Sequence, residues 1–319
     1  MAVPSGTTQT YQAVGRREDL TDVIHDLSPT QTPFMSAIGK GSAENTFHEW
    51  QTDALAAANG DNKVVEGDDA ANDTMSATVR LGNYTQLMDK VVQVSSAQRA
   101  ANNAGRGDEL SYQVSKRAKE IKRDMETRLT GNYASAAGNA STARECAGFE
   151  AWIQTNDSRG TSGASTAYSG GIQAAATDGT QRVFTEALLL DVMQLCWNEG
   201  GEPTMVMVGG FNKRTASGFD GIATQYRENS GQKAATIIAA ADVFVSDFGT
   251  MNIVANRFSR SRSALVVDPS MFKLCYYQRF KTEELAKTGH SDRKMLSVEF
   301  TLESCNEKSS GIVADLTTA

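Results

Sequence analysis

The run DELSYQVSKRAKEIKRDMETRLTGN, residues 108–132, decides how the rest of the chain is read. Leu110, Val114, Ala118, Ile121, Met125 and Leu129 recur at three- and four-residue intervals, with Lys, Arg, Asp and Glu filling the positions between. That spacing gathers the apolar side chains into one stripe of an α-helix and leaves the charges facing water. Leu110, Val114, Ile121, Met125 and Leu129 are the expected buried stripe. Asp108 is a residue type that accepts hydrogen bonds from the free amides of a first turn, and Gly131 stands where a left-handed C-terminal cap is expected. At about 1.5 Å per residue such a helix spans roughly 33 Å, long for a globular protein.

Upstream of the helix, residues 46–55 (TFHEWQTDAL) and 76–95 (SATVRLGNYTQLMDKVVQVS) each read as a strand, on the β-favouring Phe47, Val79, Leu81, Tyr84, Val92 and Val94. Residues 56–75 between them are alanine-rich, then carry Asn59-Gly60-Asp61 and Glu66-Gly67-Asp68-Asp69. An unstructured loop of that length is unusual inside a compact domain unless it has a task. The economical reading is a long hairpin whose tip projects from its own core. Residues 1–45 read as an extended arm. A short helical turn is expected over 19–26, with Leu20, Val23, Ile24 and Leu27, and Pro29 and Pro33 are expected to break any helix that follows. Phe34, Met35 and Ile38 then make a small apolar plug that must pack on something else.

Downstream, a short helix and turn are expected over 95–105, and the Gly-, Ala-, Ser- and Thr-rich stretch 131–182 reads as loop with Phe149 and Trp152 as islands. Thr185 is placed to cap a helix running to Asn198, with Leu188, Leu189, Val192, Leu195 and Cys196 inward. A buried strand at 205–208 and a short helix at 212–218 follow. From Asp242 the pattern turns to strands: DVFVSDF, TMNIVANRF, ALVVDP, FKLCYY, the cleanly alternating KMLSVEFTLESC, and a last short strand at 311–314. The order of elements gives an α+β fold.

Of the 319 residues, 40% are hydrophobic and 22% charged, a balance that supports an ordinary core and excludes a disordered chain. The net charge of −7, with basic residues interleaved with acidic ones, disfavours tight binding to nucleic acid. Apolar runs are too short for a membrane span and residues 1–20 lack an apolar signal core, so a soluble protein made in a cytoplasm is expected. Cys146, Cys196, Cys275 and Cys305 are scattered, with no CxxC and no Cys/His pair at ligand spacing, so reduced thiols and no metal centre are expected.

Catalytic signatures are missing. Gly39-Lys40-Gly41 lacks the rest of a dinucleotide fingerprint, and GxxxxGK[ST], HExxH and GxSxG do not occur. His25, His48 and His290 lie in three separate segments. The acids Asp61, Glu66, Asp68, Asp69 and Asp73 do not match an EF-hand loop and read as a solvated, partner-facing tip. Arg106-Gly107-Asp108 is better explained by helix capping than by adhesion. No catalytic residue, cofactor or metal ligand is expected.

The order of arm, projecting hairpin, long charged helix, αβ region and closing strands resembles the Hong Kong 97-type fold of tailed-phage major capsid proteins. The runs 15–55 (GRREDLTDVIHDLSPTQTPFMSAIGKGSAENTFHEWQTDAL), 64–69 (VVEGDD) and 278–316 (QRFKTEELAKTGHSDRKMLSVEFTLESCNEKSSGIVADL) are similar to a branch of that family. The resemblance implies an N-terminal arm at 1–45, an E-loop hairpin at 46–95, a P-domain spine-helix region at 96–134, an A-domain at 135–275, and P-domain return strands with the C-terminus at 276–319. It also implies a non-enzymatic subunit that assembles with copies of itself as pentamers and hexamers into an icosahedral shell enclosing double-stranded DNA. The expected location is the virion, after assembly in the bacterial cytoplasm. Expected partners are a separate scaffolding protein, the portal and a decoration protein, with weak non-specific contact to packaged DNA and none to membrane. Phe34, Met35, Ile38, Trp50, Asp61, Glu66, Asp68 and Asp69 are the expected contacts between subunits. A compartment that shares this fold but encloses cargo enzymes, and an αβ enzyme with a site in 185–250, are the alternative readings.

Overall fold

The computed structural model describes residues 28–69, 72–73, 75–101, 103, 105, 107–219 and 243–318. The helical turn expected over 19–26 lies outside the described residues. Three sheets organise the described residues. A four-stranded sheet takes the order β1 (Gly39–Ser42), β10 (Phe272–Leu285), β11 (Ser291–Ser304), β4 (Gln86–Ser95). A six-stranded sheet takes the order β5 (Asp157–Ser158), β12 (Gly311–Val313), β9 (Ala264–Val267), β6 (Met205–Val208), β8 (Gly249–Ala255), β7 (Val243–Ser246). The pair β2 (Phe47–Thr52) and β3 (Val79–Tyr84) forms a ribbon of its own.

The long helix, α3 (Glu109–Thr130, 22 residues), lies where the sequence places it. Asp108 accepts from the backbone N–H of Ser111 at 3.2 Å and from its hydroxyl at 2.6 Å, closing the first turn. Leu110, Ile121, Met125 and Leu129 are buried and Val114 partly so. The C-terminal end differs from expectation. Gly131 is extended (φ −87°, ψ 172°), not left-handed. Glycine is needed there for space: a Cβ would sit 2.4 Å from the ring of Tyr133 and 3.0 Å from the carbonyl oxygen of Thr127.

Several local expectations are corrected. Pro33 opens helix α1 (Pro33–Ala37) instead of breaking one, since the first helical position has no intrahelical acceptor for an N–H to lose. The stretch 76–95 is two strands. At the buried Thr85 the chain leaves the ribbon and enters the four-stranded sheet, with the Thr85 N–H on the Thr46 carbonyl (2.8 Å) and its hydroxyl on Glu299 (2.6 Å). Short helix α2 (Ser96–Ala100) follows. In α5 (Glu186–Asn198) the buried residues are Leu189, Val192, Met193 and Cys196, while Leu195 is exposed.

Two strands cross the expected divisions of the chain. β10 runs unbroken through residues 275 and 276, so the two sides of that division share one strand. β12, near the C-terminus, pairs with β9 and β5 in the six-stranded sheet rather than with the return strands.

The core follows from these placements. Ile121, Met125 and Leu129 meet Phe149 and Trp152 of α4 (Phe149–Trp152), Phe272 and Leu274 of β10, and Val298, Phe300 and Leu302 of β11. The islands Phe149 and Trp152 are therefore core residues held on a loop-rich segment. A second apolar cluster lies around the six-stranded sheet, where α5 and α6 (Gly210–Ala216) contribute Leu189, Val192, Cys196 and Ala216 against Val206, Val208, Phe244 and Ile253.

Candidate assembly surfaces

The plug has a seat at home. Phe34, Met35 and Ile38 are buried among Ile121, Met125, Leu129 and Phe149, with the Phe34 and Phe149 rings edge to face at 5.6 Å. Their side chains are thus unavailable to a neighbouring subunit, against the expectation from sequence. Glu126, on the flank of the α3 stripe, fixes the segment in place. Its two carboxylate oxygens accept the backbone N–H of Phe34 (2.8 Å) and of Met35 (2.9 Å), and Asn256 Nδ2 donates at 2.7 Å. Burial pushes the Glu126 carboxyl up from the ordinary range, opposed by those three donors.

The ribbon is attached by side chains, not by a backbone ladder. Asn83 is buried; its Nδ2 donates to the Leu302 carbonyl at 2.9 Å and its Oδ1 accepts from the Ala147 N–H at 2.9 Å. The Thr301 hydroxyl donates to the Tyr84 carbonyl at 3.0 Å. Trp50 is half-buried, packed on Trp152 at 5.4 Å, with Tyr168 stacked beyond at 5.8 Å. His48 Nε2 and Glu303 Oε2 add a polar contact at 3.2 Å. Trp50, an expected contact between subunits, is thus in part an internal anchor.

Beyond Thr52 the anchoring stops. From Asp53 to Thr78 every described residue is exposed and none belongs to a helix or strand. Leu55 is 99% exposed, Met75 95% and Val64 88%. Asp61, Glu66, Asp68 and Asp69 share this projecting tip, where Lys63 pairs with Asp61 at 3.0 Å. Nothing among the described residues of the subunit covers these large apolar side chains.

Charged side chains tie α3 to the neighbouring strands. Lys90 of β4 meets Asp124 at 2.8 Å and Glu120 at 3.5 Å, and Arg117 meets Glu120 at 2.6 Å. Arg99 bridges Asp108 (3.0 Å) and Asp292 (2.9 Å), tying the helix start to β11. The Ser111 hydroxyl, with Arg99, holds the Asp108 carboxyl down to about 2. Under the six-stranded sheet, buried carboxylates are matched to arginines: Glu150 to Arg260 at 2.9 Å and Asp315 to Arg262 at 2.7 Å. These are structural clamps on a loop-rich segment. At its far edge β7 presents Val243 and Val245 to solvent, near the exposed Trp197 that packs on Phe248 at 5.9 Å.

Asp108, the last residue of the Arg-Gly-Asp tripeptide, caps α3. Of the asparagines that match a glycosylation triplet, Asn83 and Asn156 are buried, whereas Asn72 and Asn139 are exposed. Among the described residues no helix is long and apolar enough to cross a membrane. Cys146, Cys196 and Cys275 are buried thiols and Cys305 is half-buried, with burial pushing Cys146 to about 11 and Cys196 to about 12. Glu126, Asn83 and the grouping of His48 with Cys275 and Glu303 escaped the sequence reading. Each is assembled from segments far apart in the chain and has no local spacing to announce it.

A ribbon carrying an exposed hairpin, a spine helix laid along a long-stranded sheet and a separate six-stranded sheet define a Hong Kong 97-type capsid fold. Solved structures of this type superimpose over nearly the whole chain. The Cyanophage A-1(L) capsid matches with a TM-score of 0.64 at 11% identity, covering 98% of this chain and 99% of that one. The capsid of Cyanophage P-SCSP1u gives 0.63 at 9% identity, covering 99% and 97%. A chain of Gordonia phage Cozz gives 0.62 at 9% identity, covering 99% and 98%. In sequence, the major capsid protein of Escherichia phage Phieco32 is 28% identical over 337 residues, covering 95% of each chain. The sequence model of the SU10 major capsid protein family matches residues 3–317, and the chain belongs to that family. It is a phage major capsid protein, a component of the virion shell built from copies of itself.

Proposed function

We propose that the subunit assembles as pentamers and hexamers into a closed icosahedral shell, and that residues 53–78 lie across a neighbouring subunit in it. The observation that carries this reading is the exposed hairpin, whose Leu55, Val64, Val65 and Met75 gain burial only against another chain. Obligate interfaces bury on the order of 2,000–5,000 Å², and an extended hairpin adds such area without a large globular face. Asp61, Glu66, Asp68 and Asp69 are the polar contacts of the tip with that neighbour, and Trp50 braces its base. The six-stranded sheet, with its exposed edge at Val243 and Val245, faces the capsomer centre. The remaining partners in this reading are a scaffolding protein, the portal and a decoration protein, and assembly takes place in the host cytoplasm. The role is structural, without catalysis, and the net charge of −7 keeps contact with packaged DNA weak.

Deleting residues 57–74 tests the reading. The truncated subunit is expected to fold with a wild-type circular-dichroism spectrum, yet to form no regular shells by negative-stain electron microscopy when co-expressed with its scaffold. Normal shells from the deletion variant would overturn the proposal.

A further inference from the structure

The base of the ribbon holds a side-chain cluster of a different chemistry from the rest of the molecule. His48 of β2, Cys275 of β10 and Glu303 of β11 converge although they are far apart in sequence. His48 Nε2 and Cys275 Sγ each lie 3.2 Å from Glu303 Oε2, and the three ligand atoms are all within 4.8 Å of one another. Cys305 Sγ approaches the other carboxylate oxygen, Oε1, at 3.3 Å. Lys273 Nζ reaches that same oxygen at 3.1 Å from a side chain that is nearly half exposed.

The donor set decides which ion would fit. Imidazole, thiolate and carboxylate together select Zn²⁺ over Mg²⁺ or Ca²⁺, which prefer oxygen. With bonds of about 2.0 Å to nitrogen or oxygen and about 2.3 Å to sulfur, tetrahedral zinc sets its ligand atoms roughly 3.3–3.8 Å apart. The His48–Glu303 and Cys275–Glu303 separations already match the short end of that range. The His48 and Cys275 donors are at most 4.8 Å apart, within about 1 Å of that range. Gly41 of β1 lets the Cys275 side chain sit against the neighbouring strand, since a Cβ at that position would lie 2.7 Å from Cys275 Sγ. Cys305 Sγ lies outside that grouping of three, so it supplies the fourth ligand only by moving toward them, and water fills that place if Cys305 keeps its own position.

We propose that His48, Cys275 and Glu303, completed by Cys305, form a Zn²⁺ site that clamps the base of the projecting hairpin to the four-stranded sheet. On binding, the Cys275 thiol proton passes to solvent, as does that of Cys305 when its sulfur ligates; the Glu303 oxygens exchange their thiol and ammonium donors for the metal, and Lys273 swings outward. The mechanical consequence follows from topology. β2 and β3 hydrogen-bond as strands only to each other among the described residues, so their angle to β11 rests on side-chain contacts. A metal bridging β2 to β10 and β11 would fix the direction in which residues 53–78 project.

The test uses the purified full-length subunit in reducing buffer, stripped with a chelator. Zn²⁺ is titrated in competition with a chromophoric chelator, and Co²⁺ replaces it for absorption spectroscopy. One equivalent is expected to bind, with the thiolate-to-Co²⁺ charge-transfer band and the intense visible bands of a tetrahedral site. Cys275→Ser and His48→Gln should each lose those features. Each should weaken Zn²⁺ binding by more than the ~10–100-fold typical of removing an outer-shell partner. His48 sits outside both large sheets, so its variant reads the site even if Cys275→Ser fails to fold. Absence of the charge-transfer band in the wild-type protein, or unchanged Zn²⁺ affinity in folded His48→Gln, would overturn the proposal. Neither readout depends on shell assembly, so the result stands apart from the role proposed for the hairpin.

Discussion

Residues 33–43 and residues 53–78 both carry apolar side chains, and both read from sequence as segments with nothing at home to cover them. They end differently. The first lies with Phe34, Met35, Ile38 and Ala43 buried, its leading amides received by Glu126; the second leaves Leu55 and Met75 almost wholly in water. The difference is not in the segments but in what meets them. The α3 stripe and α4 leave an apolar seat lined by Ile121, Met125 and Phe149, with a carboxylate aimed at two free N–H groups. Nothing described in the subunit offers the hairpin a comparable seat. An arm's destination is therefore a property of its receptor, and here one receptor lies inside the subunit and the other is proposed to lie in a neighbour.

That contrast is open to perturbation. The largest effect is expected from Ile121→Asp, which sets an unpaired carboxylate in the seat itself. The cost exceeds ~3 kcal/mol, and the circular-dichroism melt of the free subunit should lose its cooperative transition. An unchanged melt would show the seat to be misassigned. Phe34→Ala empties the seat from the other side and is expected to cost about 3–5 kcal/mol in urea denaturation of the free subunit. If it left the free subunit untouched and impaired only assembly, the plug would belong with the hairpin after all.

Acid titration sharpens the picture at the helix that builds the seat. Asp108 is held at about 2, below its ordinary 3.8, chiefly by the Ser111 hydroxyl and with help from Arg99. A depressed carboxyl adds stability that is fully present above the ordinary value and is lost as pH falls through the folded one. The wild-type melting temperature should therefore fall between about pH 4 and pH 2 in part through this group. Asp108→Asn, which can still cap, should show a shallower decline. Equal slopes would remove Asp108 from the account. The smallest effect belongs to the deletion of 57–74, which should move the free subunit's stability by no more than ~0.5 kcal/mol, the scale of a surface change.

Much of this architecture was legible in the sequence, because it rests on local periodicity. The α3 stripe, the alternation of β11 and the apolar run of β6 each announce their burial by spacing alone. The sheet switch at Thr85 was hidden, since both flanking strands continue the same β-favouring pattern and only a distant Glu299 marks the corner. Pro33 misled because the same ring that breaks a helix interior suits its first position. Gly131 misled because close approach, not backbone handedness, is what requires a glycine there. The clamps at Glu126, Asn83 and Glu303 were illegible for one shared reason: each polar side chain meets partners far away in sequence, and its own neighbours in sequence carry no trace of them.

Hydrogen exchange, followed by mass spectrometry on the free subunit and on the assembled shell, tests the central claim most directly. Amides of residues 34–38 should be protected in both states. Those of 53–69 should exchange at near-intrinsic rates in the free subunit and become protected only in the shell. Protection of 53–69 in the free subunit, or its continued rapid exchange in the shell, would contradict the account.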